Sequence, residues 1–186
     1  MFIQTENTPN PTTLKFIPDG EIVLEKGTAE FKNQKQAATS SPLALQLFAV
    51  FGVEAVFFGR DFITITKKDD VEWDKIKAEV MPTIMDFYVS KKPIMFEKSD
   101  DKNDISEDDD EVVKQIKELI EIKVRPAVAM DGGDIVFHSF EEGVVLLELK
   151  GACSGCPSST ITLKNGIEGM LKHYIPEVIS VEQIEA

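Results

Sequence analysis

Residues 97–111 constrain the fold of this chain more than any other stretch. They carry nine acidic and two basic residues and almost no apolar side chains. Like charges at this density repel one another, and so little apolar surface cannot offset the conformational entropy lost on folding. The sequence therefore predicts an extended acidic linker that divides the 186 residues into two small domains, residues 1–96 and 112–186.

The net charge of −13 limits the classes of partner. The linker carries −7 of it, against −2 for residues 1–96 and −4 for residues 112–186. Such a chain is repelled by nucleic-acid phosphates and anionic lipids, so we expect neither as a partner. No apolar run approaches the roughly 20 residues that span a bilayer. The polar first residues do not resemble a targeting presequence, which predicts a cytosolic protein or one already in its final compartment.

Residues 1–96 are predicted to form an α+β domain without a catalytic constellation. Pro18-Asp19-Gly20 is a turn, and Ser41-Pro42 supplies a cap and a first-position proline for a helix. A helix that begins near Trp73 should break at Pro82. The predicted strands are residues 13–17, 22–24, 53–58 and 62–66, and a second helix over 83–90 follows the proline.

Residues 112–186 are predicted to fold as helix, strand, strand, helix, strand, an α+β unit with a three-stranded sheet. Pro126 should end or kink the first helix. The later helix, over residues 158–174, should bury one apolar face consisting of Leu163, Ile167, Met170, Leu171 and Tyr174. The predicted strands are residues 135–140, 144–150 and 178–184.

In a hairpin around Glu142, residues whose numbers sum to about 284 lie opposite one another. One face is then mostly apolar and carries the pairs Ile135–Leu149, Phe137–Leu147 and Ser139–Val145. The other face is half polar, as expected of a solvated face, and carries Val136, His138, Leu146 and Glu148. The same register places Gly132-Gly133 beside Cys153. The two glycines are either a wall without side chains that leaves room on the thiols, or only a tight turn before the strand.

Cys153 and Cys156 are the chain's two cysteines, and they lie two residues apart in Gly-Ala-Cys-Ser-Gly-Cys-Pro. Such a loop binds a metal or cluster, or cycles between dithiol and disulfide. Pro157 suits the first position of a helix, which places the Cys156 sulfur near the positive end of the helix dipole and favours its thiolate.

The number of ligands that each kind of site needs distinguishes a zinc site, an iron–sulfur cluster and a redox-active dithiol. A zinc site would need His138 and His173 as well, but strand and helix geometry place them ~17 and ~22 Å from the loop. An iron–sulfur cluster needs four thiolates, so two chains related by a two-fold axis would share it. A thiol–disulfide oxidoreductase is the alternative, although the domain lacks the βαβ unit of that fold. An inert disulfide is unexpected in a reducing compartment.

At these residues the chain resembles the Nfu-type proteins, whose cysteine domain is similar to the C-terminal domain of the scaffold NifU. The resemblance covers nearly the whole chain apart from the linker. It is carried by Thr8-Pro9-Asn10-Pro11, Ser41-Pro42-Leu43-Ala44, Phe57-Phe58-Gly59-Arg60-Asp61, Val124-Arg125-Pro126, Asp131-Gly132-Gly133-Asp134 and the run from Gly151 to Glu168.

The resemblance implies a non-enzymatic carrier that receives a [4Fe–4S] cluster from an upstream donor and delivers it to apo-proteins. A homodimer would hold this cluster, or a [2Fe–2S] cluster instead, with Cys153 and Cys156 as ligands. The Asp131–Asp134 turn would lie beside the site without ligating. The N-terminal domain would be a client or partner module. The alphaproteobacterial and mitochondrial branch is closest, which implies a bacterial cytoplasm, or the mitochondrial matrix for a mature eukaryotic form.

Overall fold

The structure is a computed structural model that describes residues 2–96, 109–154 and 157–184, with the backbone alone at 157–159. The chain divides into two compact units, Met1–Asp100 and Asp101–Ala186, each of mixed α and β structure. The α+β fold class is therefore confirmed. The boundaries 1–96, 97–111 and 112–186 stay a prediction, and residues 97–108 lie outside the described residues.

The first unit is a five-stranded antiparallel sheet in the order β1-β2-β5-β4-β3. Buried side chains such as Phe16, Val56, Ile63 and Leu47 join the sheet to its helices in one core. The elements are β1 (Ile3–Asn7), β2 (Thr13–Pro18), β3 (Ala29–Phe31), α1 (Gln34–Ser40), α2 (Pro42–Phe48), β4 (Val53–Phe58), β5 (Ile63–Lys67) and α3 (Trp73–Val89).

Ser41 caps the N-terminus of α2 as the sequence predicts, and its hydroxyl also makes a second hydrogen bond. Its hydroxyl oxygen accepts the N–H of Ala44 (3.1 Å) and its O–H donates to the carbonyl of Ile94 (2.5 Å). The side chain is fully buried, so neither bond is replaced by water. One hydroxyl thus caps the helix and holds the segment that follows α3.

Two predictions for the first unit are wrong. Pro82 does not break α3, which is continuous because Pro82 lies on its exposed side while Val80 and Ile84 hold the opposite side in the core. Residues 22–24 form no strand. Instead the N–H groups of Val23 and Leu24 both donate to the Arg60 carbonyl, at 2.8 and 3.2 Å, rather than to a ladder.

The second unit has the predicted order and a three-stranded sheet, β6-β7-β8. The hairpin strands are antiparallel, and β8 returns parallel to β7 after a helix. The elements are α4 (Glu111–Leu119), a π-helical turn (Ile120–Val124), α5 (Arg125–Met130), β6 (Gly133–Glu141), β7 (Val144–Gly151), α6 (Pro157–Tyr174) and β8 (Ser180–Gln183).

Pro126 does not end the first helical segment, but the segment contains a π-helical turn just before the proline. The path runs from α4 through the π-helical turn into α5, and the N–H of Arg125 donates to the carbonyl of Ile120, five residues back. Proline has no N–H and its ring crowds the preceding turn, so the wider π turn accommodates it. Ile120 and Val124 stay buried in the core throughout.

The hairpin follows the predicted register only up to Phe137. Ile135 pairs with Leu149 and Phe137 with Leu147, but a bulge at His138 then sets Ser139 opposite Leu146 instead of Val145. The outer face is not solvated as predicted at Val136 and Glu148, which are both buried. The hairpin turns on two residues with positive φ, Glu142 (49°) and Gly143 (82°), the backbone of a type I′ turn.

In α6 the predicted apolar face is confirmed at Ile167 and Leu171 and wrong at Tyr174, which is 51% exposed. Ile175, one residue beyond the helix, fills the core in its place. The ring of Tyr174 instead lies under the Lys123 ammonium group, 5.3 Å from its centre. Among the described helices, none is long and apolar enough to cross a membrane.

Candidate functional site

The cysteine loop leaves β7 through a tight backbone turn at Gly151, whose φ is 65°. The N–H and the hydroxyl of Ser154 both donate to the Gly151 carbonyl, at 3.1 and 3.0 Å. On the far side, the N–H of Ala152 donates to the carbonyl of Gly132 (3.2 Å). The loop is therefore tied both to itself and to the glycine turn.

Gly133 lies directly against Cys153, as the hairpin register predicts. Gly133 pairs with Gly151 across the sheet, and a Cβ built on it would stand 2.7 Å from the Cys153 sulfur and 2.5 Å from the Lys150 carbonyl oxygen. Both distances are shorter than real Cβ contacts. The glycine is thus needed for close packing, and the space beside it holds the Cys153 thiol itself.

Cys153 is a free cysteine, only 6% exposed. Burial raises the pKa of its thiol to about 12, and the carboxylates of Asp131 and Asp134 add to the rise. Water and positive charge would stabilise a thiolate, whereas this environment supplies an apolar core and two negative charges. In this structure Cys153 is therefore a neutral thiol at neutral pH.

Gly155 and Cys156 lie outside the described residues, so the predicted thiolate of Cys156 at the helix N-terminus stays a prediction. Helix α6 does begin at Pro157, as expected from proline at the first position. The hydroxyl of Thr160 donates to the carbonyl of Cys153 at 3.2 Å. This bond joins the first turn of α6 to the cysteine loop.

A group of charged residues beside the glycine turn was missed by the sequence reasoning. The Arg125 guanidinium contacts the Asp134 carboxylate (Nε to Oδ1, 3.2 Å) and the Glu121 carboxylate (Nη1 to Oε2, 2.9 Å). The spacing of Glu121 and Arg125 by four residues on a helix was a usable signal. The pairing with Asp134 was not visible, because it depends on the packing of α5 against β6.

Neither histidine lies in the cysteine loop. The Nε2 atom of His138 is 2.8 Å from Oε2 of Glu148, and the ring of His173 packs edge-on against Tyr174 with centroids 4.9 Å apart. Among residues 2–96, 109–154 and 157–184, no three histidine, cysteine or acidic side chains are placed to hold a metal ion.

Two exposed apolar side chains flank the cysteine loop. Met130, the residue before the Asp131–Asp134 turn, is 75% exposed, and Ile161, the residue after Thr160, is 60% exposed. Thr160, next to Ile161, donates its hydroxyl to the Cys153 carbonyl. Gly132, two residues after Met130, accepts the N–H of Ala152.

Two family models match the chain, one in each unit. Residues 3–91 match the family described as "Scaffold protein Nfu/NifU N terminal", and residues 116–182 match the "NifU-like domain". The solution NMR structure of a NifU-like protein from Saccharomyces cerevisiae is 28% identical, with a TM-score of 0.47, and the match covers 53% of this chain and 87% of that one.

Relatives match the chain over almost its whole length. The mitochondrial NFU1 iron-sulfur cluster scaffold homolog of Homo sapiens is 53% identical over 185 residues, which cover 99% of this chain and 72% of the human protein. The homolog of the same name in Drosophila persimilis is 55% identical over 185 residues, covering 99% of this chain and 65% of the fly protein. With both domains in this order, the chain belongs to the Nfu family of scaffold proteins.

Proposed function

We propose that this chain is an iron–sulfur cluster carrier without enzymatic turnover. Two copies bind one [4Fe–4S] cluster through Cys153 and Cys156 of each, with a bridged [2Fe–2S] cluster as the alternative. The observation that carries this proposal is the pair of cysteines in one loop of a chain that is 53–55% identical over 185 residues to iron–sulfur cluster scaffold homologs. Two thiols are half of the four that such clusters take.

The described residues support a site that is closed before loading. The Cys153 sulfur packs against Gly133. Burial and the neighbouring carboxylates raise the pKa of the thiol, which therefore stays protonated. To ligate iron, the thiol must lose that proton and the loop must turn its sulfur toward the second chain. Met130 and Ile161 then supply apolar contacts around the shared cluster.

Release follows from the same arrangement. A cluster at a two-fold interface is held by two short loops rather than enclosed by one fold, so an apo-protein can replace its thiolates one at a time. Reprotonation of Cys153 and its return against Gly133 favour departure of the cluster. The partners are therefore an upstream donor, a second copy of the chain and apo-protein clients, in a bacterial cytoplasm or, for a eukaryotic form, the mitochondrial matrix.

The test is anaerobic reconstitution of the full chain with iron and sulfide, followed by visible spectroscopy and counting of iron, sulfide and protein. The wild type should hold one cluster per two chains, and Cys153→Ser and Cys156→Ser should hold none. His173→Ala, which alters an exposed side chain far along α6, is the matched control and should load normally. A colourless wild type, or equal loading of Cys153→Ser, would overturn the proposal.

The same preparations test the thiol–disulfide oxidoreductase. An attacking cysteine works as a thiolate with a pKa near ambient pH, and the pKa of Cys153 is raised to about 12. Cys153 is therefore not suited to attack a disulfide, and an oxidoreductase would have to attack through Cys156. The carrier predicts no catalytic reduction of insulin disulfides by the apo-protein. Turnover by a monomer that carries no cluster would favour the oxidoreductase instead.

A further inference from the structure

Arg125 lies between two carboxylates of very different exposure. The Arg125 Nε atom lies 3.2 Å from Asp134, whose side chain is only 4% exposed. The Nη1 atom lies 2.9 Å from Glu121, whose side chain is 54% exposed. Arg125 itself is 20% exposed. A buried carboxylate whose partner is removed is left as an uncompensated charge, at a far larger cost than a surface ion pair contributes. Loss of the contact with Asp134 should therefore cost more free energy than loss of the contact with Glu121.

Asp134 connects this ion pair to the cysteine loop. It directly follows Gly133, the residue packed against the Cys153 sulfur, and the preceding Gly132 accepts the N–H of Ala152. The Asp134 charge also acts on that sulfur electrostatically. A change in the position or the charge of Asp134 therefore alters both the position of the Cys153 sulfur and its electrostatic environment.

We infer that Arg125 is a positioning residue that determines how long the site retains its cluster. By pairing with Asp134, Arg125 offsets a buried carboxylate. Left unpaired, this charge would displace the glycine turn from the cysteine loop and would repel a thiolate-bound, negatively charged cluster. The inference rests on the proposed function, since retention presupposes loading. Groups that orient metal ligands without touching the metal commonly change metal affinity by about 10- to 100-fold.

The experiment compares variants of the full chain after reconstitution, with the half-life of the visible cluster spectrum measured against a chelator. Arg125→Gln should shorten the half-life by about 10- to 100-fold. Asp134→Asn should leave it at or above the wild-type value, because the neutral amide needs no cation. The double variant should recover to within a few-fold of the wild type. Arg60→Gln, which removes the chain's other arginine from an exposed turn, should have no effect.

A purely structural contact gives a different pattern. If the pair only fastens α5 to β6, then Asp134→Asn shortens the half-life as much as Arg125→Gln does, and the double variant is not rescued. That result would overturn the inference, as would an unchanged half-life in Arg125→Gln.

A second measurement on the apo-protein tests positioning without a cluster. Hydrogen exchange of the Ala152 amide, which is bonded to Gly132, should accelerate by about tenfold in Arg125→Gln. The Val181 amide, bonded to the Glu168 carboxylate, should not change. Unchanged exchange at Ala152 would refute the positioning role. A wild type that binds no cluster would instead refute the proposed function, while the exchange data would still decide on positioning.

Discussion

Replacing Gly133 by alanine tests the close packing at the centre of the site. The new Cβ would lie 2.5 Å from the Lys150 carbonyl oxygen and 2.7 Å from the Cys153 sulfur. The sulfur can rotate away, but the carbonyl belongs to β7 and is fixed by the strand pairing of Gly133 with Gly151. The hairpin must therefore shift. Overpacking of this kind costs about 1–3 kcal/mol.

The assay is thermal unfolding of the apo-protein, followed by amide exchange in the second unit to assign the transition. For a domain of this size we expect the melting temperature to fall by roughly 4–8 °C for each kcal/mol lost. The loop should also lose the Ala152–Gly132 hydrogen bond, so cluster loading should drop with stability. The effect is steric, because Gly133 is not among the glycines with positive φ.

Gly166→Ala is the matched control, since it makes the same chemical change within α6. A Cβ there meets no atom within 4 Å. Removing a helical glycine should stabilise the domain by about 0.4–1 kcal/mol through the unfolded chain. If Gly133→Ala melts at or above the wild-type temperature and loads a full cluster, the close packing against Cys153 is not a requirement and the interpretation of the glycine turn is wrong.

Three further predictions concern single residues. Ser41→Ala removes a helix cap and the donor to Ile94, so urea unfolding should show the first unit destabilised by about 1–3 kcal/mol. Pro82→Ala restores a helical N–H on the exposed side of α3, and the same assay should show a gain of about 1–2 kcal/mol. The pKa of Cys153 is raised from 9.0 to about 12, so the stability from its neutral thiol is complete below pH 9 and is lost as the pH rises through 12. Unfolding measured across that range should show the wild type losing stability relative to Cys153→Ser, and parallel curves would contradict the raised pKa.

The second unit could be predicted well because its signals are local. Alternating apolar residues around Glu142 predicted the hairpin, and the register followed from it as far as Phe137. The bulge at His138 has no such signal, because an inserted residue changes neither the composition nor the alternation enough to be seen. From that point the predicted pairing was displaced by one residue.

The errors in the first unit have a common cause in tertiary packing. Four of the five side chains of β1 are exposed, so the strand shows little apolar alternation and was not recognised. Pro82 is tolerated because the core holds the opposite side of α3. Residues 22–24 have the composition of a strand, but they bond to the single carbonyl of Arg60 instead of to a neighbouring strand.

The candidate site was predicted in part. The meeting of Gly133 and Cys153 followed from the hairpin register, and the structure adds how close the contact is. The raised pKa of Cys153 was not foreseen, since a motif does not reveal that its sulfur faces the core. Nor was the Arg125–Asp134 pair, which joins a helix to a strand and has no fixed spacing in sequence.

Native mass spectrometry of the anaerobically reconstituted full chain tests most directly whether the cysteine loop is half of a shared site. Two thiols per chain predict a cluster-bearing species at twice the 20.7 kDa of one chain plus the mass of one cluster, which returns to apo-monomer when the cluster is transferred or chelated. Cys153→Ser should yield no such species. A cluster carried by a single chain would contradict a site completed by the second copy.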